Sequence, residues 1–240
     1  MNDGSCSRFE RAFDAAWARS DMLFDLLPSH GFCERPIGLR HPFLFYLGHL
    51  PAFTWNQIGR AFLAEGHFDP SFDVLFERGI DPVDVTQAAQ QSITTWPEVA
   101  KVIDYRDRIR RAIRERIPAV LQRGDDVLGA NGRILHVAIE HELMHHETLM
   151  YMVAECPEGF IRRPASAMAP EDGPGQKAEV REISAGMAKI GAAFDSIEFG
   201  WDNEFGRFDV FVPAFRIDSL PVRNQDWHDF LKTTNRHATL

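Results

Sequence analysis

Two histidines one helical turn apart, His141 and His145, have the spacing that most directly indicates chemistry. If residues 132–155 form a helix, a rotation of about 100° per residue brings the two imidazoles within about 40° of each other. Two imidazoles at this spacing can bind one metal ion. The competing interpretation is a pair of hydrogen-bonded core histidines, which is less favourable for two buried imidazoles than for one. Both share their face with apolar residues, namely Ile134, Val137, Ala138, Leu149 and Met152.

The same segment also fits a zinc-hydrolase motif, because residues 141–145 read HELMH and match HExxH. In such an enzyme Glu142 would be the general base, and a residue further along the chain would be the third ligand. The glycine and histidine of the longer HExxHxxGxxH pattern do not follow, and Glu155 and Glu158 lie at the helix end or beyond it. A zinc metallohydrolase is therefore kept as the alternative.

A third metal ligand is predicted in an earlier helix, at His49. In the segment HPFLFYLGHLPAFTW this histidine lies close in helical angle to Phe45 and Ala52, on a face that could point inward. Gly48 beside it would permit close approach of another helix. A histidine on the helix surface is the competing interpretation, and this pattern alone does not decide between the two.

Four long helices are expected to position these histidines. Apolar residues recur at helical spacing within residues 7–27, 42–64, 97–122 and 132–155. Residues 65–96 contain several glycines and prolines and are predicted to be a long connection with short helical pieces. The pattern predicts a mainly α fold built on a four-helix bundle.

The character of the sequence changes after the bundle, which we place at residues 1–160. Residues 161–180 are rich in proline, glycine, alanine and charge, and we interpret them as a linker. Strand-like runs, REISAGMAKIG and FDVFVPAFRID, follow within residues 181–240. We expect this last part to be the beginning of a second domain of α+β structure.

Composition excludes several classes of function. The 240 residues are 45% hydrophobic with a formal net charge of −9, which argues against a nucleic-acid-binding surface. No apolar stretch reaches the length of about 18 residues that a membrane span needs, and the N-terminus lacks the apolar core of a secretory signal. The three scattered cysteines predict reduced thiols in a cytoplasmic protein rather than a disulfide framework.

Four segments in tandem resemble the non-haem iron sulfoxide synthases of ergothioneine and ovothiol biosynthesis. RHPFLFYLGHLPAF is similar to the family segment with the first iron histidine, and FDVLFERGIDP to the loop after it. IEHELMHHETLMYM fits the H-x3-H-x-E motif with His141, His145 and Glu147. FGWDNEFGRFDVFVPAFRIDSLPVRNQDWHDFL resembles the opening of a formylglycine-generating-enzyme-like domain. The resemblance implies a DinB-like bundle whose Fe(II) ligands are His49, His141 and His145.

The resemblance also implies an activity. The family joins a thiol to the imidazole of histidine or of its trimethylated betaine with O2, and a relative uses selenium donors. Partners are therefore expected to be small molecules, with no nucleic acid and no membrane. The family's catalytic tyrosine belongs to a C-terminal region that this chain is expected to lack, so no catalytic residue is assigned. We expect an iron-dependent oxidoreductase with little activity alone, or else an inactive metal-binding bundle.

Two further groups have open interpretations. Arg78 could hold a substrate carboxylate bidentately, or it could form a loop ion pair with Asp81. The residues Trp201, Asp202, Asn203 and Glu204 could line a ligand cleft, or they could form a polar turn with an aromatic anchor.

Overall fold

The computed structural model describes residues 3–77, 96–162, 164 and 178–237. The chain divides into two compact units, Met1–Ala167 and Met168–Leu240. The division falls within the predicted linker of residues 161–180, most of which lies outside the described residues. The mainly helical fold is as predicted, with a small amount of sheet near the C-terminus.

In its described residues, the first unit is a four-helix bundle with one additional short helix. Its α-helices are α1 (Asp3–Phe24), α2 (Phe43–Trp55), α3 (Pro70–Phe76), α4 (Val99–Leu121) and α5 (Arg133–Ala154). The chain continues from α2 into a π-helical segment, Asn56–Phe62, so the single helix predicted for residues 42–64 has two geometries. Short 3₁₀ turns occupy Ser29–Cys33 and Ala130–Gly132.

The order of the helices around the bundle makes α2 and α5 neighbours. Helix α1 packs against α4 and α5, and helix α2 packs against the same two. The pairs α1/α2 and α4/α5 therefore lie diagonally across the bundle. The short helix α3 packs against α2 from outside this ring of four. His49 lies on α2, and His141 and His145 lie on α5. A site shared by the three can thus form at the interface between these two helices.

The core is centred on α2, of which all residues but Phe53 are buried. Fully buried side chains such as Phe43, Leu44 and Leu47 each contribute about 1.5–3 kcal/mol relative to exposure. This burial fixes α2 between α4 and α5. None of the helices in the described ranges combines the length and the apolar character needed to cross a membrane.

The second unit contains two antiparallel strand pairs and a helix. Strand β1 (Val180–Ile183) pairs with β4 (Phe215–Asp218), and β2 (Gly186–Ile190) pairs with β3 (Phe208–Val212). A 3₁₀ turn, Asp202–Glu204, lies between β2 and β3, and α6 (Asn224–Thr234) follows the strands. This agrees with the α+β character predicted from the sequence.

Replacement of Gly48 by alanine tests the close approach of α2 and α3. A Cβ at this position would lie 2.4 Å from Cε2 of Phe76, whose ring is fully buried. Alanine favours a helix over glycine by up to about 1 kcal/mol, but overpacking of this kind costs about 1–3 kcal/mol. We expect Gly48→Ala to lower the free energy of unfolding, measured by urea denaturation.

The matched control is Gly4→Ala in α1, where an added Cβ would have no heavy atom within 4 Å. That variant should be as stable as the wild type or slightly more stable. If Gly48→Ala were equally well tolerated, the described contact between α2 and α3 would be wrong.

Candidate metal centre

The three predicted ligands, His49, His141 and His145, lie together between α2 and α5. One ring nitrogen from each can be chosen so that all three lie within 4.8 Å of one another. The centroids of the rings are 5.1 Å apart for His49 and His141, 5.1 Å for His49 and His145, and 4.5 Å for the pair on α5. The geometry permits one shared ion, while metal binding by these residues stays a prediction.

The imidazole of His49 is oriented by one backbone carbonyl. Its Nδ1 lies 2.8 Å from the carbonyl oxygen of Phe76, the last residue of α3. A carbonyl can only accept, so Nδ1 carries the proton and Nε2 keeps its lone pair. Among the described residues the buried Nε2 has no hydrogen-bond partner. This is the tautomer that a metal ligand requires.

His141 and His145 present two nitrogens at a spacing that suits one metal ion. Their Nε2 atoms are 3.2 Å apart. With metal–nitrogen bonds of about 2.1 Å, this separation corresponds to an angle at the metal of about 100°. That value lies between the angles of octahedral and tetrahedral coordination, so these two nitrogens need little movement to share an ion.

All three imidazoles are held in the neutral form. Burial and the neighbouring His145 and His49 lower the pKa of His141 to about 2. Burial, His49 and the charge of Arg40 lower the pKa of His145 to about 3. Burial also lowers the pKa of His49, against the opposing effect of its bond to Phe76. At neutral pH the three lone pairs are therefore available to a cation.

Aromatic side chains cover the faces of these imidazoles. Phe53 stacks on His141 with ring centroids 3.5 Å apart and an interplanar angle of 10°. Phe45 stacks on His49 at 5.0 Å, and Tyr46 lies 5.4 Å from His145. Such packing restricts ring rotation, so the nitrogens are held in place before any ion binds.

Glu142 does not take part in this group, although it adjoins His141 in sequence. Its buried carboxylate accepts a 2.5 Å hydrogen bond from Oγ of Ser20 on α1 and lies 3.9 Å from the guanidinium of Arg110 on α4. In the part of the chain that the structure describes, no carboxylate joins the three-histidine group. Glu142, the general base that the HExxH hydrolase interpretation requires, therefore lies against Ser20 and Arg110 and not within the three-histidine group.

The remaining sequence candidates have mixed outcomes. Glu147, the acidic residue of the H-x3-H-x-E motif, is exposed. Arg78 and Asp81 lie outside the described residues, so their interpretation stays open. Glu204 accepts a hydrogen bond from the backbone N–H of Trp201 at 2.7 Å, which is the polar turn that the sequence offered as one interpretation.

The structure also contains site residues that the sequence did not reveal. The carbonyl of Phe76 holds His49, and Ser20 joins Glu142 to His146, whose Nε2 is 2.8 Å from the serine hydroxyl. The only sequence signal for the first contact was Gly48, because a glycine inside an apolar helix indicates that another element packs closely there.

Comparison with known proteins agrees with the fold. The sequence profile of the DinB superfamily matches residues 12–149, which is more than half of the chain. This chain belongs to the DinB superfamily. The predicted DinB-like bundle is thereby confirmed, whereas the formylglycine-generating-enzyme-like character of residues 181–240 stays a prediction.

Two curated relatives of this DinB superfamily member carry the name ergothioneine biosynthesis protein 1. The protein from Neurospora crassa is 30% identical over 93% of this chain and 27% of its own length. The protein from Schizosaccharomyces pombe is 25% identical over 83% of this chain and 30% of its own length. The chain thus spans less than a third of the length of these relatives, and the predicted resemblance to ergothioneine biosynthesis proteins is confirmed.

The stability of the metal-free protein should fall as the pH is lowered through 6.5. The unfolded chain gains protons on its histidines near pH 6.5, whereas folding holds the pKa of His141 at about 2. The stability present above pH 6.5 is therefore lost at up to about 1.4 kcal/mol per pH unit for each such histidine. Urea denaturation in the presence of a chelator, at pH 7.0, 6.0 and 5.0, measures this slope.

The variant His141→Asn supplies the comparison, because it removes one of these proton-binding groups and leaves the surface carboxylates unchanged. Its free energy of unfolding should depend less steeply on pH between 6.0 and 5.0. Equal slopes for the variant and the wild type would contradict the neutral, buried state of this imidazole.

Proposed function

We propose that this chain holds one Fe(II) ion on His49, His141 and His145 as part of an O2-dependent sulfoxide synthase of the ergothioneine or ovothiol type. The single observation that carries the proposal is the buried Nε2 of His49, which has no partner among the described residues, in a ring whose centroid lies 5.1 Å from those of His141 and His145. The names of the two relatives support the biosynthetic context.

The donor set fits iron, but by itself it also fits zinc, which binds three histidines in some enzymes. The proposed chemistry favours iron, because joining sulfur to an imidazole carbon is an oxidation and zinc has no redox chemistry. Three neutral nitrogens would leave further positions open on an ion that prefers six ligands. When bound, the ion would supply the means for O2 to react with the organic substrates.

The proposed reaction balances with O2 as the sole oxidant. A thiol S–H bond and an imidazole C–H bond are broken, and one carbon–sulfur bond is formed. One oxygen atom of O2 ends on sulfur as the sulfoxide, and the other leaves as water with the two hydrogens. Sulfur and carbon together lose four electrons, which equals the number that O2 accepts. The substrates would be histidine or its trimethylated betaine and a small thiol, in the cytoplasm.

The residues of this chain would contribute position and protonation state. The carbonyl of Phe76 holds the proton of His49 on Nδ1, and the packing of Phe53 against His141 fixes the plane of that ring. Burial keeps the imidazoles neutral, so no proton has to leave before an ion binds. Substrate recognition and the remaining chemistry are proposed for proteins of the length of the two relatives, of which this chain matches 27% and 30%.

Metal binding by the three histidines is tested by anaerobic titration with Fe(II). We expect the wild type to bind one equivalent of Fe(II). The affinity of His49→Ala should be lower by about 100-fold or more, because loss of a residue that hydrogen-bonds a metal ligand already lowers affinity by about 10–100-fold. Elemental analysis after gel filtration measures the stoichiometry. His30→Ala is the control, because His30 is exposed and lies outside the group.

Oxygen consumption by the iron-loaded protein, with a thiol and either imidazole substrate, separates the enzyme from its alternatives. Formation of the carbon–sulfur product, detected by mass spectrometry, supports the synthase. Iron binding without oxygen consumption supports an inactive metal-binding bundle instead. Iron binding that persists in His49→Ala would contradict the proposed centre itself.

Glu142→Gln distinguishes the hydrolase alternative. In the proposed centre this residue is structural, so the variant should be less stable, by about 1–3 kcal/mol for a perturbed buried hydrogen bond, but should bind the same equivalent of Fe(II). Denaturation and elemental analysis measure the two effects. A zinc-loaded wild type that cleaves peptides, with activity abolished in Glu142→Gln, would favour the hydrolase.

A further inference from the structure

A second buried polar group lies in α3, and the proposed metal ligands do not include it. The carboxylate of Asp73 is fully buried. It accepts hydrogen bonds from Oη of Tyr105 on α4 at 2.7 Å and from the backbone N–H of Phe68 at 2.8 Å, and it lies 3.1 Å from Nδ1 of His67. Burial of a carboxylate destabilises the fold unless such partners satisfy it. Asp73 is therefore held in place by specific hydrogen bonds.

Tyr105 is the donor in its pair with Asp73. Burial and the hydrogen bond to the Asp73 carboxylate both raise the pKa of this phenol, so it keeps its proton. Helix α4 is one of the four long helices of the bundle, whereas α3 has only seven residues and cannot be stable alone. The Tyr105–Asp73 bond therefore ties the short helix to a rigid one.

Helix α3 ends at the group that orients His49. Phe76 follows Asp73 by three residues, a rise of about 4.5 Å along the helix. Its carbonyl is among the last four of α3, which have no partner within the helix, and it accepts from Nδ1 of His49 instead. The Phe76 ring also packs against Gly48, the residue before His49. The position of α3 thus determines where the acceptor for His49 lies.

We propose that Asp73 and Tyr105 form a positioning pair for His49, acting through α3 and the Phe76 carbonyl. The pair fixes the carbonyl, the carbonyl keeps the proton of His49 on Nδ1, and Nε2 is thereby directed at His141 and His145. The inference rests on the metal centre proposed above and assigns to two further residues the role of positioning one of its ligands. Neither residue is expected to touch an ion or a substrate.

Tyr105→Phe is the sharpest test, because it removes one oxygen atom and keeps the aromatic ring. Two measurements are made on the full chain. Titration with Co(II), which reports ligand geometry through its visible absorption bands, gives affinity and spectrum. Long-range ¹H–¹⁵N NMR of the metal-free protein gives the tautomer of His49. We expect about 10-fold weaker Co(II) binding, altered bands and a measurable fraction of the Nε2–H tautomer.

Thr54→Val is the matched control. Its hydroxyl is buried in α2 and donates to the carbonyl of Leu50 at 3.0 Å, so this hydrogen bond joins two residues of one helix and includes none of the three histidines. This variant should lose stability as Tyr105→Phe does and yet keep the wild-type Co(II) affinity, spectrum and His49 tautomer. A change in both variants to the same degree would show general loosening and overturn the positioning role.

The positioning pair and the metal centre can fail separately. If the wild type binds Co(II) and Tyr105→Phe has the same affinity, spectrum and tautomer, the positioning role is overturned and the centre stands. If the wild type binds no Co(II), the proposed centre is overturned. The tautomer of His49 in the metal-free variant then decides the positioning role by itself.

Discussion

The structure depends on one constraint, which is that three neutral imidazoles converge inside a protein core with too few hydrogen-bond partners. A buried polar atom without a partner costs about 1–3 kcal/mol, and the described residues give none to Nε2 of His49 or to Nδ1 of His145. Protonation would offer no relief, because it would bring like charges together among rings about 5 Å apart. The proposed shared cation would resolve the conflict at His49, since it would satisfy the lone pair that burial leaves without a partner.

The bundle meets this constraint by giving α5 two separate polar pairs. His141 and His145 face α2 and His49, while Glu142 and His146, one position further along, both contact Ser20 of α1. The second pair fixes the rotation of α5 about its axis, and so fixes the direction of the first. On the other side, α2 is almost entirely buried, and its close contact with α3 at Gly48 brings the orienting carbonyl within reach of His49.

The sequence could predict interactions between residues that are close along the chain, but not those between residues that are far apart along it. His141 and His145 share one helix, so their common direction follows from helical periodicity, and the four long helices follow from the same rule. His49 could be placed on an inward face only as one of two interpretations. The acceptor at Phe76 and the bond between Asp73 and Tyr105, 32 residues apart, depend on how α3 packs, which no local pattern encodes. The antiparallel pairing of β1 with β4 could likewise not be predicted, because the pattern within each strand does not specify its partner.

The most direct test of the central claim is a crystal structure of the protein loaded anaerobically with Fe(II), with anomalous diffraction data collected at the iron edge. If the three histidines hold the ion, one strong anomalous peak will lie between α2 and α5, about 2 Å from one nitrogen each of His49, His141 and His145. An iron peak at any other position, or a loaded protein in which His49 turns away from the other two imidazoles, would contradict that claim.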